Sequence, residues 1–269
     1  MPQLTISDLP SLPLRRANTH KYDYGSLLVI GGSIGYFGAP QLASRAAFRM
    51  GTGLVTMALP ADIYYQFQPH FFSQMIFPYS SPNELMALLK KKTAVVFGPG
   101  MDAQQVVNQE MLKMILATKI PIVIDAGALD IFKTLIPHMS DLSQVVITPH
   151  LGEAKRLLDG QDPLSNYADL LIKHLTLVLK GATTIVAQDH RVFDATRGSA
   201  AMAKAGMGDV LAGMIGGLLA QGYVPLAAAK LAVYLHQEAA RIAWSQKGDV
   251  SLISEDVIEA LPEAIAKLR

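Results

Sequence analysis

Short runs of apolar residues, each ended by glycine or a polar group and followed by a helix-like stretch, limit this chain to very few architectures. "SLLVIGG" (26–32), "LVTMALP" (54–60), "AVVFGPG" (94–100), "IPIVIDAG" (120–127) and "VVITPH" (145–150) are apolar almost without interruption. A strand with one wet face alternates polar and apolar residues, whereas a strand with no polar face is buried on both sides. Between these runs, "PQLASRAAFRMG" (40–51), "PNELMALLKKK" (82–92), "AQQVVNQEMLKMILAT" (103–118) and "GEAKRLLDG" (152–160) read as helices. Pro40 falls near a first turn, Gly51 at a helix end, and the lysines of 90–92 at the end where the helix dipole favours cations. This alternation predicts a three-layer α/β/α fold, a mainly parallel central sheet with helices on both faces. "LTLVLKG" (175–181), "TTIVA" (183–187) and "RVFDA" (191–195) follow one another with no helix between them, which predicts an antiparallel extension. Helices are predicted over 209–221, 225–246 and 254–268. No Pro-, Gly- or Ser-rich linker and no repeat divides the sequence, so residues 1–269 are expected to form a single domain.

Composition removes whole classes of function. With 23 basic and 22 acidic residues the net charge is +1, so neither a nucleic-acid surface nor an acidic tail is expected. Cysteine is absent, which excludes disulfides, zinc–thiolate sites and thiol catalysis. The seven histidines lack the spacing of a zinc protease. The N-terminal "MPQLTISDLPSLPLRR" has no signal-peptide pattern. "VLAGMIGGLLA", eleven residues, is too short to span a bilayer and reads as a buried helix. A soluble cytoplasmic protein without membrane contact is the expectation.

In sheets of this kind ligands bind beyond the carboxyl ends of the strands, and the polar and glycine-rich segments gather there. "GGSIGYFGAP" fails both the dinucleotide and the P-loop spacing; it is either a flexible turn or a loop whose backbone approaches a ligand at Gly38 and Ala39. "KGATT" (180–184) is either a tight hairpin turn or a phosphate site, with Lys180 as a point charge and Thr183 or Thr184 as hydroxyl donors. In "TPHLGE" (148–153), Glu153 either favours a helix dipole or holds Mg²⁺ opposite nucleotide phosphates. His150 by itself reads as a structural histidine. Asp125 of "DAGALD" (125–130) caps the next helix or faces the site. In "KAGMGDVLAG" (204–213), Gly206 and Gly208 allow backbone N–H groups to turn toward an anion. Asp209 is then either a helix-start carboxylate or a base that takes a proton from a hydroxyl attacking phosphorus.

Taken in order, "HKYDYGSLLVIGGSIGYFGAPQLASRAAFRMGTGLVTMALP" (20–60), "DAGALD", "ITPHLGEAKRLL", "VLKGATTIVA" and "AGMGDVLAGMIGGLLAQG" (205–222) resemble the ADP-dependent NAD(P)H-hydrate dehydratase family, over roughly residues 20 to 240. The resemblance implies a ribokinase-like fold in the stand-alone form, without the epimerase domain to which many bacterial dehydratases are fused. It implies phosphoryl transfer from ADP, with Mg²⁺, to the C6 hydroxyl of the (S)-hydrate of NADH or NADPH (NADHX, NADPHX), followed by loss of phosphate and release of AMP. By similarity Lys180, Gly181, Ala182, Thr183, Thr184 and Gly208 line the nucleotide site, and Ala39, Gly100, His150 and Asp209 line the hydrate site. Gly206 and Gly208 hold the moving phosphoryl group, Asp209 is the base, and Glu153 matches the magnesium-associated glutamate of the superfamily. A separate epimerase in the same pathway and a homotetramer are also implied. The pattern departs from relatives at "SAAM" (199–202), where they carry an "NPGM"-like stretch, and at Gly127, where they carry a second aspartate. Two rivals remain, a vitamin-precursor kinase of the same fold and a nucleotide-binding sensor without catalysis.

Overall fold

The computed structural model describes residues 1–12, 14–65, 73–102, 106–196 and 198–269. Nine strands lie in one sheet in the order β3-β2-β1-β4-β5-β6-β7-β8-β9. Strands β1 (Ser26–Ile30), β2 (Leu54–Pro60), β3 (Met75–Tyr79), β4 (Ala94–Phe97), β5 (Ile122–Ile124), β6 (Val145–Ile147) and β7 (Thr176–Leu179) pair in parallel. β8 (Thr184–Gln188) and β9 (Arg191–Ala195) add the antiparallel extension. All five residues of β1 and all four of β4 are buried, as strands covered on both faces must be.

Successive side chains leave the sheet on opposite sides, so each strand feeds two cores. Leu27, Val29, Val96, Val123, Val146 and Val178 face one layer, made of α1 (Gly38–Arg49), α8 (Met207–Ala220), α9 (Pro225–Ser251) and α10 (Ser254–Leu268). Leu28, Ile30, Phe97, Ile124, Ile147 and Leu177 face the other, which includes α3 (Pro82–Leu89), α4 (Val106–Ala117), α5 (Ala128–Leu135) and α6 (Leu151–Leu157). The short helices α2 (Ala61–Tyr64) and α7 (Pro163–Asn166) sit in connections.

The differences from expectation have local causes. β3 escapes prediction because "MIFPY" holds a proline; it is tolerated because β3 is an edge strand with half its ladder unpaired. Helix α6 ends before 160 because Asp159 and Gly160 adopt left-handed backbone (φ 53° and 93°). Helix α9 runs past 246 to its break at Gly248, φ 77°. The predicted helix start at 103–105 lies outside the described residues. Among the described residues no helix is long and apolar enough to cross a membrane.

Helix α8 buries 12 of its 14 residues, since it lies between the sheet and the outer helices. It gets there through glycine: a Cβ on Gly213 would stand 2.0 Å from the Ala43 carbonyl oxygen of α1. Gly213→Ala should therefore cost about 3 kcal/mol or more, read as a melting temperature lowered by roughly 6–12 °C. An unchanged melting temperature would contradict the close approach of the two helices.

Candidate functional site

The carboxyl ends of β1, β4, β5, β6 and β7 open on the same edge of the sheet, because these strands run parallel. The loops after β1 and β4 touch through glycine: a Cβ on Gly100 (φ 67°) would lie 2.3 Å from the Tyr36 carbonyl oxygen. The Ser33 hydroxyl donates to the Gly100 carbonyl at 2.8 Å. Helix α8 brings its N-terminus to this edge, starting at Gly206 in left-handed conformation. The helix begins two residues earlier than expected, so Gly208 is its second residue and Asp209 its third. The N–H groups of such a first turn have no partner inside the helix and point outward.

The charges of the site are interlocked. Lys180, directly after β7, is held by its N–H to the Pro149 carbonyl (2.8 Å). Its ammonium donates to Asp125 Oδ1 at 2.8 Å, and the Thr148 hydroxyl donates to the same oxygen at 2.7 Å. Asp125 is buried at the end of β5 and faces the site, the second of its two readings. Burial pushes the Lys180 ammonium down, but Asp125, Glu153 and Asp209 outweigh it, and the net shift is upward. Asp209 is pushed up to about 7, first by burial, then by Asp125; Lys180 opposes the shift and Glu153 adds to it.

Two cavities meet this cluster. The smaller, about 600 Å³, is lined by residues including Ser33, Tyr36, Ala39, Gly100, Ala126 and Asp209. The larger, about 760 Å³, is lined by residues including Lys180, Gly181, Ala182, Thr184 and Gly208. One peptide bond, between Gly208 and Asp209, separates a residue of one cavity from a residue of the other. Ala39 and Gly100 thus share a cavity with Asp209. His150 does not: it lines the larger cavity, paired in register with Lys180. Thr183 is exposed in the connection between β7 and β8 and stands outside the described lining. "KGATT" is the hairpin connection between β7 and β8, and Lys180, Gly181, Ala182 and Thr184 also line the larger cavity.

His150 and Glu153 close the start of α6. His150 Nδ1 accepts from the Gly152 N–H (2.9 Å), and Glu153 Oε2 accepts from the His150 N–H (2.8 Å). Glu153 is thereby buried in the first turn of a helix, the arrangement the dipole favours. Among the described residues no group of three His, Asp or Glu side chains forms a metal cage. Asp125, Glu153 and Asp209 all act on the Lys180 charge, three carboxylates against one ammonium.

Other site residues escaped the sequence reading. Tyr36 and Asp62 line the smaller cavity, and His236, from α9, lines the larger. His236 carries no local signal, being one residue in a long apolar helix. "SAAM" also lines the larger cavity, in part. Its Ser199 hydroxyl accepts from the Ala201 N–H at 3.2 Å, the capping role an asparagine side chain also fills.

Residues 27–263 match the family model described as NAD(P)H-hydrate dehydratase. The chain is 35% identical to the ADP-dependent (S)-NAD(P)H-hydrate dehydratase of Lactiplantibacillus plantarum, over 82% of each chain. It is 35% identical, over 94% of its own length, to a bifunctional NAD(P)H-hydrate repair enzyme of Coxiella burnetii. There it covers 52% of the relative, so the chain spans about half the length of such bifunctional proteins. The ADP/ATP-dependent NAD(P)H-hydrate dehydratase of Bacillus subtilis, co-crystallised with ATP and Mg²⁺, has a TM-score of 0.84 at 27% identity, covering 100% of this chain and 99% of that one.

The Asp209 carboxyl has a stability signature of its own. Folded, it keeps its proton up to about pH 7; unfolded, it loses it near 3.8. Between these values the folded state binds more protons, so the stabilisation, full below about pH 4, is lost as pH rises through 7. Asp209→Asn does not titrate. The melting temperature of the variant should match the parent's at the acid end and exceed it increasingly toward pH 8. A gap that stays constant with pH would refute the raised pKa.

Proposed function

Since the chain belongs to the NAD(P)H-hydrate dehydratase family, we propose that it dehydrates the (S)-hydrate of NADH or NADPH with ADP as phosphoryl donor, as a hydro-lyase. The observation that carries this reading is the one-residue step between the two cavities. A phosphoryl donor in the larger and a hydroxyl acceptor in the smaller would face each other across Gly208 and Asp209.

The chemistry needs a hydroxyl made nucleophilic and a phosphoryl group held still. With its pKa near 7, the Asp209 carboxylate is ionised in part at neutral pH and basic enough to accept the C6 hydroxyl proton. The oxygen then attacks the β-phosphorus of ADP, and AMP leaves. The first-turn N–H groups after Gly206 would donate to the equatorial oxygens as charge builds on them. Lys180, already oriented by Asp125, would meet the phosphates as a fixed charge. Loss of phosphate from C6 and of a proton from C5 restores the ring double bond. Phosphate is the better leaving group than hydroxide, which is the reason for using a nucleotide at all. Mg²⁺, when bound, would neutralise phosphate charge, with Glu153 and Asp125 as the nearby carboxylates. Given its place in the lining, His150 would serve the nucleotide side more directly than the hydrate.

The same reading places residues 1–269 in one catalytic domain, a homotetramer in the cytoplasm, receiving its hydrate from a separate epimerase. Light scattering on the purified chain tests the tetramer.

Purified protein should restore the absorbance of NADH from its hydrate only with nucleotide and Mg²⁺, and release AMP from ADP. Full activity without nucleotide would sink the phosphorylation route. Asp209→Asn should lose about 10²- to 10⁴-fold in turnover while still binding ADP. Parental turnover in this variant would leave Asp209 a helix-start residue only. Lys180→Ala should weaken ADP by roughly 10- to 100-fold, with little effect on hydrate binding. Calorimetry with each ligand checks this, and unchanged ADP affinity would move the nucleotide away from "KGATT".

A further inference from the structure

His236 is a buried polar residue that no step above employs. It is 6% exposed, lies on α9 and contributes to the wall of the larger cavity. Its Nε2 is buried without a hydrogen-bond partner. Fully buried polar groups of proteins are nearly all paired, because an unpaired one forfeits its water and receives nothing in return. A leucine at this position would leave no buried polar atom unpaired. The fold keeps a polar ring at a place where it destabilises the empty protein, the mark of a group whose partner arrives from outside.

The kind of partner follows from the surroundings. Burial and the Lys180 charge push His236 down to about 4, so at neutral pH it is an uncharged imidazole. An uncharged ring suits a neutral hydroxyl better than a phosphate, which Lys180 already serves. His236 and Lys180 line the same cavity, and the sugar of a nucleotide adjoins its phosphates. Accepting the nucleotide assignment of the larger cavity made above, we propose that His236 hydrogen-bonds the ribose hydroxyls of the bound nucleoside diphosphate and so selects ribonucleotides.

The test is calorimetric titration of the whole chain with ADP and with 2′,3′-dideoxy-ADP, in the parent, His236→Leu and His236→Gln. The parent should prefer ADP by roughly three- to tenfold, the worth of one hydrogen bond. His236→Leu should lose that preference by weakening ADP alone, and should melt, without ligand, at or above the parent temperature. His236→Gln, which keeps a donor and an acceptor, should retain part of the preference and serves if the leucine variant does not fold. A parent that binds both nucleotides equally, or a His236→Leu variant that keeps the parent's preference or weakens both ligands alike, overturns the proposal. A parent that binds no ADP would instead overturn the nucleotide assignment itself, and this inference with it.

Discussion

Everything at the site depends on how closely helix α8 can lie against its neighbours. The contact is made by glycines: a Cβ at Gly216 would stand 2.2 Å from Val96 Cγ2 of β4, and one at Gly217 would stand 2.7 Å from Thr52 Oγ1. With Gly213 against α1, these absent side chains let the helix axis sink toward the sheet. Such packing is dense and poorly compressible, so the helix has little freedom to slide. Its first turn is thereby held at the carboxyl edge, and Asp209 is held with it. A loop would carry the same carboxylate with less precision.

Given that placement, the electrostatics follow. Asp209 arrives in a partly buried spot where Asp125 and Glu153 already hold negative charge. Lys180 is committed to Asp125 and relieves Asp209 only in part. The carboxyl therefore shares its proton at neutral pH, which a general base can use and a structural ion pair cannot. The same edge carries other departures from local comfort. Ala126, a non-glycine residue with φ 51°, lines the smaller cavity beside Asp209. His236, its Nε2 unpaired, lines the larger. Each of these two residues borders a cavity, where a strained or unpaired group can serve a ligand.

The family relationship and the geometry answer different questions. Kinship through residues 27–263 says to which family the chain belongs. It does not say that Asp209 and Gly208 stand on either side of one peptide bond between two cavities, or that His150 pairs with Lys180 rather than with Ala39. Ser199 illustrates the difference. By pattern it is a departure from the relatives' asparagine; in three dimensions its hydroxyl still caps the segment that borders the larger cavity.

What the sequence by itself determined was the layer architecture, and the reason is periodicity. Strands such as "SLLVI" and "AVVF" have no polar face, so they had to be buried on both sides, and the amphipathic segments between them had to cover them. The antiparallel extension was equally legible, since 183–195 leaves no room for a crossover helix. Edge strand β3 was not, because Pro78 reads as a breaker unless the neighbouring edge is known to be free. Where each polar residue lies and what it meets was decided only by tertiary structure. Asp125 could cap the next helix or face the site until Lys180, 55 positions away, was seen to donate to it. The pKa of Asp209 depends on burial and on charges from three other strand ends and helix starts, none of them adjacent in the chain. His236 had no signature at all, for a histidine on a buried helix gains meaning only from the cavity beside it. Local patterning sets where the backbone goes; the energy of a charge or an unpaired nitrogen is a property of what the folded chain brings around it.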